Sequence, residues 1–289
     1  KRESVLYKHQ QDAVKFILSR GGVGALFMDC GTGKCLTALS IFSELKAQMP
    51  SLRLVVVCPL SLIESAWMLD IQRFTQFTFF NAHDKKLNDK VNADIVLINY
   101  ESMIRNKELA HHIKRNMLVI DESSRMKNNR AITTKKLLQH AALPRFKVIM
   151  SGTPAPNSLV EYWGQITFLD EDALHKSFYS FRNTYFHLAR NGEIMQGRFM
   201  SRQQAREIFS RGWEYAISPE NLTKLMEKIN PYVFRAKKDE CLDLPDQVDE
   251  VRLVELSAEQ HKHYIEMKRH LITELAGQFV TAQVALAKI

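Results

Sequence analysis

Residues 25–35 read Ala25-Leu26-Phe27-Met28-Asp29-Cys30-Gly31-Thr32-Gly33-Lys34-Cys35, and this stretch decides the fold. A short apolar run followed by a glycine-rich turn and a lysine is the order strand, anion-binding loop, helix. Gly31, Thr32 and Gly33 let backbone N–H groups approach phosphate oxygens, and Lys34 adds a point charge for the β- and γ-phosphates. The formal phosphate-loop pattern asks for glycine where Met28 stands, and for a serine or threonine hydroxyl on Mg²⁺ where Cys35 stands. On these residues alone, an ordinary strand-to-helix turn remains the alternative.

Further apolar runs recur at Leu54-Val55-Val56-Val57-Cys58, Ile95-Val96-Leu97-Ile98, Met117-Leu118-Val119-Ile120 and Lys147-Val148-Ile149-Met150, separated by helical patterns. Continuous apolar runs of this length suit strands buried on both faces, and helical crossovers make such strands parallel. The expectation is an α/β fold with a doubly wound parallel sheet. Ligands in such sheets collect beyond the carboxyl ends of the strands, where the polar clusters of this chain fall. Asp121-Glu122 follows the fourth run, where Asp121 can hold Mg²⁺ and Glu122 can polarise an attacking water; a surface turn is the bland alternative. Ser151-Gly152-Thr153 follows the fifth, placed to contact the γ-phosphate region or Glu122 and report nucleotide state, or simply to form a proline-ended turn.

The 289 residues are 45% hydrophobic, enough for a substantial core. Forty Lys/Arg against 32 Asp/Glu give a net charge of +8, mild support for a polyanion partner. Cys30, Cys35, Cys58 and Cys241 have no paired metal-ligand spacing, and His111-His112 has no partner cluster, so no metal beyond Mg²⁺ is expected. A reducing compartment follows from the unpaired cysteines. With Lys1 in place of an initiating methionine, and no apolar run of about 20 residues, the expectation is a soluble fragment of a longer protein.

The alternation ceases near Phe168. Residues 170–240 read as a mostly helical second unit, with Leu222, Leu225, Met226 and Ile229 at helical spacing. Between Lys176 and Tyr215, seven Lys/Arg and three Asp/Glu are interleaved with aromatics including Phe178, Tyr179, Phe181, Phe199 and Phe209. That fits an aromatic core with a basic outer face better than a stacking surface for single strands. Residues 241–289 read as a linker. Leu244-Pro245-Asp246 breaks the pattern, residues 250–256 alternate as a strand, Ser257 to Gln260 forms a capping box opening a helix, and 277–289 read as an amphipathic helix.

In order and spacing these segments resemble helicase superfamily two, most closely the Snf-type (Swi/Snf) double-stranded-DNA translocases. Leu6-Tyr7-Lys8-His9-Gln10 resembles the opening adenine-recognition motif, which implies that Gln10 reads the adenine edge with Tyr7 near the ring. Cys58-Pro59-Leu60-Ser61-Leu62 through Trp67 resembles motif Ia, Ile98-Asn99-Tyr100-Glu101 the next DNA-facing motif, and Asp121 to Asn128 the acidic box with its basic extension. Ser151 through Ser158 and on to Leu169 is similar to motif III and its following helix. The resemblance implies a RecA-like ATP-binding lobe over 1–169, a helical protrusion over 170–240, and a lead toward a second RecA-like lobe beyond residue 289. It also implies ATP and Mg²⁺ as cofactors, and duplex DNA contacted by Ser61, Asn99, Tyr100, Arg125, Lys127 and Asn128.

Three departures stand out. Ser123-Ser124 replaces the usual alanine-histidine; Cys35 replaces the hydroxyl ligand, leaving Mg²⁺ to Asp121, phosphates and water; and no second lobe is present to lend arginine fingers, worth roughly 10³–10⁵ in rate. This chain alone is therefore expected to bind ATP and hydrolyse it slowly. An RNA helicase, a restriction-complex motor, and a degenerate nucleotide-sensing module remain the competing functions. The compartment is then cytoplasmic in a bacterial or phage setting, nuclear in a eukaryote.

Overall fold

The computed structural model describes residues 6–83, 87–88, 90–190, 193–195, 213–241, 255–270, 272–275 and 278–281. Two compact units divide the chain, 1–243 and 244–289. Among the described residues of the first, ten strands follow in chain order: β1 (Val23–Met28), β2 (Leu54–Cys58), β3 (Phe79–Asn81), β4 (Ile95–Asn99), β5 (Met117–Asp121), β6 (Phe146–Ser151), β7 (Phe186–Arg190), β8 (Glu193–Met195), β9 (Glu214–Ile217) and β10 (Val233–Ala236). Seven of them form one sheet in the order β10-β1-β6-β5-β2-β4-β3, and every neighbouring pair is parallel.

Alternate residues of the central strands enter opposite cores. Leu54, Val56, Ile95, Leu97, Met117 and Val119 pack with helices α1 (Lys8–Ser19) and α2 (Lys34–Gln48) and with Trp67 and Ile71. Val55, Val57, Val96, Ile98, Leu118 and Ile120 pack on the other face against helices Tyr100–Arg105, Ile132–His140 and Tyr162–Leu169. Each such side chain, fully buried, contributes about 1.5–3 kcal/mol. Strands apolar at every position therefore need helices on both sides, and the doubly wound arrangement expected from the sequence is what forms.

Residues 170–240 depart from the mostly helical expectation. Helices Phe178–Tyr185 and Pro219–Ile229 are present, the latter capped by Ser218 and burying Leu225 and Ile229. Between them β7 pairs antiparallel with both β8 and β9. After Asn230 and Pro231 interrupt the second helix, Val233 to Ala236 returns as β10 and pairs with Ala25 to Met28 of β1. The helical reading failed because such short segments satisfy either period; pairing partners distant in sequence chose the strand.

In the second unit, helix Ala258–His270 opens with the expected capping box: the Ser257 N–H donates to Gln260 Oε1 at 3.0 Å and the Gln260 N–H to Ser257 Oγ at 3.2 Å. The helix expected over 277–289 is contradicted at its start, where β12 (Gln278–Thr281) pairs antiparallel with β11 (Ile272–Leu275). Phe279, Val280 and Thr281 favour extended backbone once a partner strand is available. Residues 282–289, the break at Leu244 to Asp246, most of the strand expected over 250–256, and Phe199 and Phe209 lie outside the described residues. Among the described residues no helix is long and apolar enough to cross a membrane.

Candidate nucleotide site and nucleic-acid interface

Met28 closes β1 fully buried, which explains why glycine is not needed there. The loop turns on Gly31 (φ 86°) and Gly33 (φ 79°), both in the left-handed region. A side chain added at Gly31 would meet nothing within 4 Å, whereas one at Gly33 would lie 2.1 Å from Gln10 Nε2. The first glycine thus leaves an open cradle and the second admits α1 against the loop. Gln10 Nε2 donates to Thr32 O (3.3 Å) and Gly33 O (3.4 Å), its Oε1 accepts from the Tyr7 N–H (2.9 Å), and His9 Nε2 lies 2.9 Å from Thr32 O. Gln10 is buried and braces the loop. Tyr7 is exposed, its ring stacked at 5.9 Å on His9.

Lys34 begins α2 and donates its ammonium to Met28 O (2.9 Å) and Asp29 O (3.1 Å). These are neutral acceptors, so no carboxylate must be displaced before a phosphate is met. Across the sheet edge, Asp121 is almost wholly buried: Oδ2 accepts from Trp67 Nε1 at 2.9 Å and Oδ1 from the Glu122 N–H at 3.0 Å. Burial pushes its carboxyl above the usual range, while the indole donor pulls the other way. Glu122 adopts φ 54°, ψ 54°, a left-handed conformation that costs a non-glycine residue about 1–3 kcal/mol and gathers at functional sites. Two anchors hold it: Tyr100 Oη donates to Asp121 O (2.6 Å) and Glu122 O (3.2 Å), and Ser151 Oγ donates to Glu122 Oε2 (3.4 Å). Ser151 in turn accepts from the Thr153 N–H at 3.2 Å, and Gly152 sits beside Cys30 Sγ.

The structure therefore gathers Gly31 to Lys34, Asp121-Glu122 and Ser151 to Thr153 at the carboxyl ends of β1, β5 and β6. Gly31's open cradle and Lys34's uncommitted charge fit a polyphosphate. Asp121 supplies a hard oxygen of the kind Mg²⁺ takes alongside phosphates and water. Cys35 does not fit that role: burial, with Asp121 and Asp70 nearby, pushes its thiol well up, so it stays a neutral, soft group.

Of the residues expected to face DNA, Ser61, Arg125, Lys127 and Asn128 are exposed. Asn99 and Tyr100 are not on that surface. Asn99 is buried, capping its helix by accepting from the Ser102 N–H (3.2 Å) and donating to Glu101 Oε2 (3.0 Å), and Tyr100 supports the acidic turn from inside. Their positions after a strand suggested a surface; the helix cap and the buried carbonyls claimed both side chains. Arg125 stacks over Tyr100 at 5.5 Å. In the basic-aromatic stretch, Phe181 and Tyr185 are buried and Phe178, Phe181 and Phe186 pack together, an aromatic core as expected.

Sequence reading missed three side chains here. Trp67 reaches Asp121 across 54 positions, and Ser123 donates to Gln165 Oε1 at 2.7 Å across 42. No local pattern encodes either contact, although Trp67 lies in the motif Ia stretch and Ser123 was already an oddity of the acidic box.

A glycine-turned, lysine-ended loop after the first strand of a doubly wound parallel sheet, with a carboxylate pair two strands away, defines a RecA-like nucleotide-binding lobe. The chain belongs to the SNF2-related domain family, whose model matches residues 9–288. It is 26% identical over 260 residues to the chromatin structure-remodeling complex subunit snf21 of Schizosaccharomyces pombe, covering 86% of this chain and 20% of that protein. It is 25% identical over 304 residues to the DNA repair and recombination protein RAD54 of Oryza sativa subsp. japonica, covering 93% and 29%. The chain thus spans less than a third of either relative. Its fold matches the Sulfolobus solfataricus SWI2/SNF2 ATPase core in complex with dsDNA, with a TM-score of 0.65 and 21% identity over 83% of this chain and 47% of that one.

Proposed function

We propose that the chain is the first motor lobe of an ATP-dependent double-stranded-DNA translocase. The observation that carries this reading is the cluster at the carboxyl ends of β1, β5 and β6, where Asp121 fixed by Trp67, Glu122 within a long bond of Ser151 Oγ, and the Gly31 to Lys34 loop come together. Membership of the family supports it, as do the remodeling and repair roles in the names of the relatives and the dsDNA in the matched structure.

In this reading the loop N–H groups and Lys34 bind the phosphates, with the lysine leaving Met28 O and Asp29 O. Tyr7 presents a ring face to the adenine, and Gln10 ties the adenine side to the loop. Glu122 orients and polarises the attacking water. Bound Mg²⁺ would neutralise charge on the transferring phosphoryl group, held by Asp121 with phosphate oxygens and water. Ser151 to Thr153 passes the state of Glu122 to the surface carrying Ser61, Arg125, Lys127 and Asn128, which contacts the duplex backbone. A second RecA-like lobe closes on the nucleotide and supplies the arginine finger.

The test is ATP turnover by the full protein with and without duplex DNA, single-stranded DNA or RNA. Duplex DNA is expected to stimulate best, Lys34→Ala to lose nucleotide binding, and Glu122→Gln to bind ATP with turnover reduced about 10²–10⁴-fold. Equal turnover with and without duplex DNA would overturn the reading; stimulation by RNA alone would replace it with an RNA helicase.

A further inference from the structure

Ser123 and Gln165 are both fully buried. Ser123 Oγ donates to Gln165 Oε1 at 2.7 Å, and Gln165 Nε2 donates to Pro154 O at 2.6 Å and to Glu161 O at 3.1 Å. One carboxamide thus has its acceptor and both donor hydrogens engaged, and it joins three segments: the residue after Glu122, the turn after Ser151, and helix Tyr162–Leu169. Ser123 stands where the resembling family carries alanine, which has no hydroxyl to donate.

The location matters more than the bonds. Glu122, in its left-handed conformation, is flanked by the Tyr100 hydroxyl on its carbonyl and by Ser123 as the next residue. Any shift of the Pro154 turn pulls on Gln165, then on Ser123, then on the backbone that aims the Glu122 carboxylate. The route runs parallel to the direct Ser151 to Glu122 bond, which at 3.4 Å is long and weak by comparison.

We infer that Ser123 and Gln165 are a positioning pair that couples the Pro154 turn to the aim of the Glu122 carboxylate. The inference rests on the motor reading above, in which Glu122 activates water and the segment from Ser151, which runs into the Pro154 turn, links Glu122 to the DNA-facing surface. A purely structural pair would behave differently. Replacing both buried partners by apolar groups of similar shape restores packing and satisfies every remaining group except the two carbonyls, so stability and activity would return together.

The experiment compares the full protein with Ser123→Ala, Gln165→Leu and the double variant, reading thermal midpoint, ATP affinity, and turnover with and without duplex DNA. Each single change is expected to lower the midpoint and the double change to recover part of it. ATP affinity is expected to stay within about twofold, while DNA-stimulated turnover in the double variant stays depressed about tenfold. Wild-type stimulation in the double variant overturns the inference. If the Gln165 variants do not fold, Ser123→Ala decides alone, because it removes a single oxygen, and undiminished stimulation there overturns the inference. If the wild type itself shows no DNA stimulation, the motor reading fails and takes the inference with it, a result distinct from selective loss or retention in the variants.

Discussion

Trp67→Phe removes the only side-chain donor to Asp121 given by the described geometry, the indole N–H at 2.9 Å from Oδ2, inside a fully buried setting. A hydrogen bond to an ionised partner contributes about 1.5–3 kcal/mol and one to a neutral partner about 0.5–1.5. The indole therefore favours the carboxylate over the carboxylic acid by about 1–1.5 kcal/mol, close to one pH unit of titration. Burial raises the Asp121 pKa in the folded state, so its contribution to stability is full below the unfolded value and is lost as pH rises through the folded value. Without the indole, that loss extends to higher pH. Urea unfolding from acid to alkaline pH is expected to give a Trp67→Phe deficit about 1–1.5 kcal/mol larger at alkaline pH than at acid pH. It sits on a pH-independent loss made up of packing, about 1–2 kcal/mol from the smaller ring, and the bond to the neutral acid, about 0.5–1.5 kcal/mol. In an Asp121→Asn background only the constant part should remain. A deficit that does not vary with pH, or that is the same in both backgrounds, would refute the reasoning and reduce Trp67 to packing.

Two further changes test other parts of the site. Gly164→Ala would place a methyl 2.5 Å from the backbone carbonyl of Met126, which no rotamer change relieves, so a loss of about 1–3 kcal/mol in unfolding free energy is expected despite the better helix former. Cys35→Thr restores a hard ligand at the start of α2, and the Mg²⁺ concentration for half-maximal turnover should fall about tenfold. A gain in turnover with it would count against the nucleotide-sensing alternative.

The sequence by itself determined the sheet and the loop. The continuous apolar runs Leu54–Cys58, Ile95–Ile98 and Met117–Ile120 can be satisfied only by burial on both faces, and Gly31, Gly33 and Lys34 sit where the first strand hands over to a helix. Periodicity and turn chemistry are local properties, and a linear reading retrieves them. It could not retrieve which short segments become strands by pairing, as β7 to β10 did where helices were expected, because their stability comes from partners far along the chain. Nor could it say where a polar side chain finds its partner. Asn99 and Tyr100 were read outward and turned inward, while Trp67, Ser123 and Gln165 acquired their places only when the fold brought Asp121, Glu122 and Pro154 to them. Burying a polar group demands a partner, and only the tertiary structure decides which one is within reach.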